Sequence, residues 1–165
     1  MITIEPPSTG SNSPPLAKSG LTRFLRRARE AVGLKGEVDV LLTSDQELRR
    51  LNRTFRGKNK PTDVLSFPAP EEIADEHAGD LAISLDTAAQ QAENFGHSLG
   101  QEVRILLLHG LLHLAGMDHE VDSGEMAARE AELRRELKLP VTLIERVSRS
   151  PSIARTPRAA GRRGQ

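Results

Sequence analysis

The chain has 165 residues, 37% of them hydrophobic and 28% charged, and no cysteine. That is enough for one domain with a real core and polar tails, and too little for two; without thiols, disulfides and thiolate metal sites are excluded, a composition that fits a reducing cytoplasm. The formal charge of zero hides an asymmetry. Residues 146–165 hold six arginines and no acid, leaving 17 basic against 23 acidic residues, a net charge of −6, in residues 1–145.

MITIE alternates and reads as a first short strand, and PPSTGSNSPP after it as a linker. MITIEPPSTG carries neither a basic nor an apolar region of a signal peptide, and no apolar run reaches the roughly 18 residues of a membrane helix. Leu21, Phe24, Leu25, Ala28 and Val32 recur at helical spacing, stopped by Gly33. VDVLLT is rich in β-branched residues, and Ser44 with Glu47 forms a capping box that opens a helix running through about Thr54. TDVLSF and GDLAISL read as strands, DTAAQQAENFG as a helix ended by Gly96, and Gln101 to Ala115 as a much more apolar helix. Ser123 with Met126 onward gives a charged amphipathic helix.

The order β-α-β-α-β-β-α-α-α predicts an α+β fold, a small mixed sheet of about four strands with helices packed on it. Three regions follow: residues 1–19 as a short strand and flexible linker, 20–145 as a single catalytic domain, and 146–165 as a basic, disordered tail. Such a tail suits a polyanion.

Three of the five histidines fall within HGLLHLAGMDH, residues 109–119. His109 and His113, four apart on an apolar helix, share one face. Gly116 allows the chain to leave the helix through positive φ and bring His119 to the same place. Three neutral imidazoles predict one Zn²⁺ per chain, with the fourth position open to water, as in a catalytic rather than a structural site. The ion would then acidify that water to a pKa near 7.

The spacing H-x-x-x-H-x-x-G-x-x-H also matches metzincin proteases, which carry Glu directly after the first histidine as general base. Here that residue is Gly110. A peptidase that takes its base from elsewhere, with Asp118 or Glu102 as candidates, stays open.

HGLLHLAGMDH closely resembles the signature of the YbeY family of metal-dependent bacterial endoribonucleases. LNRTFRGKNKPTDVLSFP (51–68) and GDLAIS (79–84) resemble two further motifs of that family, and the similarity spans roughly residues 20–137. Met117 stands where an aromatic is usual. The resemblance implies that His109, His113 and His119 bind zinc and that Arg56 is the functional arginine. It also implies single-stranded RNA as substrate, within ribosomal RNA precursors or ribosomes, in maturation and quality control; a non-catalytic ribosome-associated factor with structural metal is the alternative in that setting. Neither DNA nor a membrane is expected as a partner. A guanidinium suits the charge built on nonbridging oxygens during phosphodiester hydrolysis. By sequence alone, however, FRGKNK is a basic turn after a helix, with Lys58 and Lys60 adding positive potential.

Other residues read more plainly: Asp118 as a turn-former, Glu102 as either a capping or locally paired residue or one that serves the metal, and Thr62 and Asp63 as braces of a strand's start. Asp80 reads as a strand-start residue and His97 as exposed between helices. His77 falls in an acidic loop without a ligand-spaced partner. Phe24, Phe55, Phe67 and Phe95, the only aromatics apart from histidine, occupy apparent core positions. Binding of RNA should therefore rest on phosphate charge and cleft shape.

Overall fold

Strand and helix alternate as the periodicities predict. A computed structural model describes residues 1–5, 16–57, 62–118 and 121–140. The linker at 6–15, Lys58, Lys60, His119 and the basic tail lie outside the described residues. The elements are β1 (Ile2–Ile4), α1 (Lys18–Val32), β2 (Glu37–Thr43), α2 (Asp45–Arg56), β3 (Val64–Pro68), β4 (His77–Ser84), α3 (Leu85–Phe95), α4 (Leu99–Leu114) and α5 (Glu125–Leu137).

The sheet has the order β1-β2-β4-β3. β1, β2 and β4 run parallel, and β3 returns antiparallel to β4, with Val64 opposite Ile83 and Phe67 opposite Asp80. Parallel neighbours need a crossover, supplied by α1 between β1 and β2. Alternation along the strands divides the apolar residues between two faces. Val38, Val40, Leu42, Leu81 and Ile83 join the main core with α1, α4 and α5, whereas Leu65 and Ala82 form a smaller cluster with Leu48 of α2.

α4 is the centre of the main core. Val103, Ile105 to Leu108, Leu111, Leu112 and Leu114 are all buried, so the helix is covered nearly all round. Ser98 and Gln101 close a reciprocal capping box at its start, two residues earlier than Gln101. Gly110 sets its distance from the sheet. A Cβ there would lie 2.8 Å from Leu81 Cδ2, inside contact distance, so a larger residue would seat α4 this close to β4 only with the Leu81 side chain displaced.

Two helix starts differ from the sequence reading. The Ser44 hydroxyl accepts from the Glu47 amide, but the Glu47 carboxylate turns to the Arg50 guanidinium at 2.6 Å instead of closing a capping box. The bond from Arg50 holds the Glu47 carboxyl below the usual carboxylate range. α5 is capped by Asp122 rather than Ser123, its carboxylate accepting from the amides of Gly124 and Met126. α2 also extends two residues beyond Thr54, so Arg56 ends the helix instead of lying in a turn; Gly57 follows in the left-handed conformation.

Candidate metal centre and cleft

His109 and His113 stand one turn apart on the last half of α4. Their Nε2 atoms are 3.1 Å apart, with the rings edge-to-face at 76°. His109 Nδ1 lies 2.8 Å from Glu130 Oε2 of α5, and the two side chains are only 6% and 1% exposed. An ionised carboxylate can only accept, so Nδ1 carries the hydrogen and Nε2 keeps its lone pair on the side facing His113. Two ring nitrogens aimed at one point need a proton or a cation between them. Two ligands of a tetrahedral zinc, each at about 2.0–2.1 Å, stand about 3.3 Å apart. The described imidazoles therefore fit a zinc ion, with Glu130 fixing the tautomer and orientation of one of them.

These imidazoles line a cleft of about 810 Å³. Arg56 and Phe55, from the end of α2, form one wall; Thr62, Asp63, Val64, Ser66, Phe67 and Pro68 of the β3 region form another, and Asp118 follows α4. Arg56 is exposed and pairs with no described carboxylate, so its guanidinium is available to an anion. The Ser66 hydroxyl donates to the Gly110 carbonyl at 3.3 Å, tying β3 to the helix where the histidines emerge.

Arg56, His109 and His113 thus share one cavity. Gly116, at φ +92°, ends α4 in the predicted left-handed conformation, but His119 lies outside the described residues. Asp118 combines two properties: its carbonyl accepts from the amides of Val121 and Asp122, as a turn-former's would, and the residue also lines the cleft. Thr62 braces the strand's start through Val64, and the Asp63 carbonyl accepts from Ser84; both residues line the cleft as well.

Several expectations need correction. His97 is buried rather than exposed, its side chain 7% accessible and its Nε2 2.7 Å from the fully buried Glu102. Glu102 is paired locally. His77 is not in a loop but opens β4; its ring lies 3.5 Å from Asp80 of the same strand, and Asp39 approaches from the neighbouring β2. Asp39, His77 and Asp80 bring ligand atoms within 4.8 Å of one another, an exposed group that also receives the Met1 ammonium at 3.3 Å from Asp39. Asp80 is inside the strand rather than at its start. Phe55 is 65% exposed rather than core, its ring edge-on to Phe67 at 5.8 Å.

Glu130 was not singled out by its sequence position, although a signal was present. The buried face of α5 reads Met126, Glu130, Leu133, Leu137, so an acid occupies a place in an apolar stripe. A lone buried carboxylate is costly without a partner, and His109 is that partner.

Comparison with known proteins sets this geometry in context. Residues 13–138 match the family described as Endoribonuclease YbeY. A protein of that description from Koribacter versatilis is 59% identical over 134 residues, covering 81% of this chain and 86% of its own. Another from Solibacter usitatus is 52% identical over 132 residues, covering 80% and 87%. A solution structure of a protein from Thermotoga maritima superposes with a TM-score of 0.55 at 28% identity, covering 96% of this chain and 99% of its own.

Proposed function

Because the chain belongs to the YbeY endoribonuclease family, we propose that it is a zinc-dependent, single-strand-specific endoribonuclease acting in ribosomal RNA maturation and ribosome quality control in the cytoplasm. His109, His113 and His119 hold one zinc ion per chain. The observation that carries this reading is the pair of Nε2 atoms facing each other at 3.1 Å in a cleft that also presents Arg56.

The ion, when bound, supplies a Lewis acid that brings the pKa of water to about 7. The chain's own residues do the rest. Arg56, rigidly placed on the last turn of a helix, binds the scissile phosphate through two nonbridging oxygens and stabilises the charge that grows on them. Glu130 keeps His109 in the tautomer with a lone pair on Nε2. Phe55 offers an exposed ring on which a base of an unpaired strand stacks, which a base held inside a duplex cannot do. Asp63 and Asp118 are the carboxylates of the cleft wall.

A protease of the metzincin type fits poorly, since its general base would replace Gly110, where even a methyl group meets Leu81 at 2.8 Å. The test is cleavage of an unstructured RNA by zinc-loaded protein. His113→Ala should lose both metal and cleavage. Arg56→Ala should keep its metal while kcat falls about 10²- to 10³-fold. Hydrolysis of peptides with none of RNA would refute the nuclease, and metal retained with no hydrolysis of either would leave a structural factor.

A further inference from the structure

Behind the catalytic cleft, α1, α4 and the end of α5 enclose a second one of about 330 Å³, lined by Arg23, Arg27, Gln101, Arg104, Lys138 and a floor that includes Phe24. Four cations converge there, and no acid lines it. Among the described residues, none of the four has a carboxylate partner. Elsewhere on the surface Arg29, Arg50 and Arg129 are each met by a glutamate. Like charges gathered without counter-charge raise the local potential and attract anions from solution.

Two features set this cleft apart from a solvated charge run. The Arg104 guanidinium lies over the Phe24 ring at 5.7 Å. It sits between two glycines, Gly20 and Gly100, where an added Cβ would stand 3.2 Å from its terminal nitrogens. The cradle is shaped for that side chain. Second, Lys138 is the one non-glycine residue with positive φ among the described residues, at 60°. Glycine is the usual occupant of such a helix end, because a Cβ there crowds the backbone. This chain instead keeps an ammonium at the cleft.

Arg23 and Arg27 are neighbours one turn apart on α1, and Arg104 precedes His109 by five residues on α4. Five residues rotate the helix by about 140° and advance it about 7.5 Å. The basic cleft therefore lies around the helix from the metal cleft and shares no lining residue with it. Leu139, the next residue after Lys138, is part of its wall, and the arginines of residues 146–165 follow in sequence.

We infer that this cleft is a second, non-catalytic RNA site that grips the phosphate backbone of the strand away from the bond being cut. The inference rests on the nuclease reading above. Its ligand is a polyanionic strand, held by charge and not by base identity.

The test measures binding of a cleavage-resistant 2′-O-methyl oligouridine to zinc-loaded full-length protein over a range of salt, with a strand of about four nucleotides and one of about two dozen. Arg23→Gln with Arg27→Gln, both exposed, should weaken the long strand several-fold. The slope of log affinity against log salt should become shallower by about 1.4, at about 0.7 per lost phosphate contact. Affinity for the short strand and its cleavage as unmodified RNA should stay at wild-type values. Adding Arg104→Gln should extend the same trend. An unchanged slope in protein that still cuts RNA overturns the second site alone, and so does equal weakening of both strands. Wild-type protein that neither binds nor cuts RNA overturns the nuclease reading itself. A circular-dichroism melt separates these outcomes from misfolding: the exposed Arg23→Gln and Arg27→Gln pair removes mutual repulsion and should melt no lower than wild type, whereas Arg104→Gln also gives up its contact with the Phe24 ring and is read only where the melt shows folded protein.

Discussion

Helix α4 carries a histidine–glutamate pair near each end, and the two differ in what the second ring nitrogen meets. At the start, His97 bonds Glu102 at 2.7 Å, with side chains 7% and 0% exposed. At the far end, His109 bonds Glu130 at 2.8 Å, with side chains 6% and 1% exposed. By distance and burial the pairs are almost the same. His97, however, uses Nε2 for its carboxylate and lies flat against Phe95 at 6.5 Å, outside the cleft lining. His109 uses Nδ1, which turns Nε2 towards a second imidazole and an open cleft. A buried imidazole–carboxylate pair is therefore a structural unit first. It becomes chemistry when the remaining nitrogen is aimed at a shared point with room for a substrate.

That contrast can be broken by mutation. The largest effect is expected at His109→Ala, which should abolish zinc binding, measured by elemental analysis, and reduce RNA cleavage to background. Next is Glu130→Ala, with zinc affinity falling about 10- to 100-fold in a chelator competition. Glu130→Gln keeps an acceptor oxygen and should recover most of that loss, and cobalt-substituted protein should show altered visible absorption only in the alanine variant. Equal zinc affinity in all three proteins would show that Glu130 does not orient the ligand. Phe55→Ala should weaken a short single-stranded RNA about fivefold, from roughly 1 kcal/mol of lost stacking, with zinc content unchanged. The smallest effect on the metal is expected at His97→Ala. Zinc affinity should stay within about twofold, while urea unfolding reports a loss of about 1–3 kcal/mol as the buried Glu102 loses a partner. A loss of zinc there would mean that the two ends of the helix are not separate.

Much of this was legible in the chain. The strand and helix order, the four-stranded mixed sheet and the shared face of His109 and His113 follow from periodicity and from capping and stop residues such as Ser44, Gly33 and Gly96. What escaped was set by residues distant in sequence. Glu130 meets His109 across 21 positions, and Asp39 meets His77 only because β2 and β4 are neighbours. Phe55 was read as core because aromatics usually are, but α2 ran one half-turn longer and carried the ring out to the cleft wall. His97 was read as exposed from its place after a glycine, where only the folded chain reveals the carboxylate that receives it.

The tight seat of Gly110 against Leu81 has a bearing on ancestry and engineering. Two classes of hydrolase with the same histidine spacing would differ by one residue on paper, glycine here and glutamate there. Installing the acid in this scaffold would press its Cβ onto the ends of the Leu81 side chain and force that side chain to shift. Passage between the two chemistries accordingly asks for repacking around Leu81 as well as the exchange of one residue.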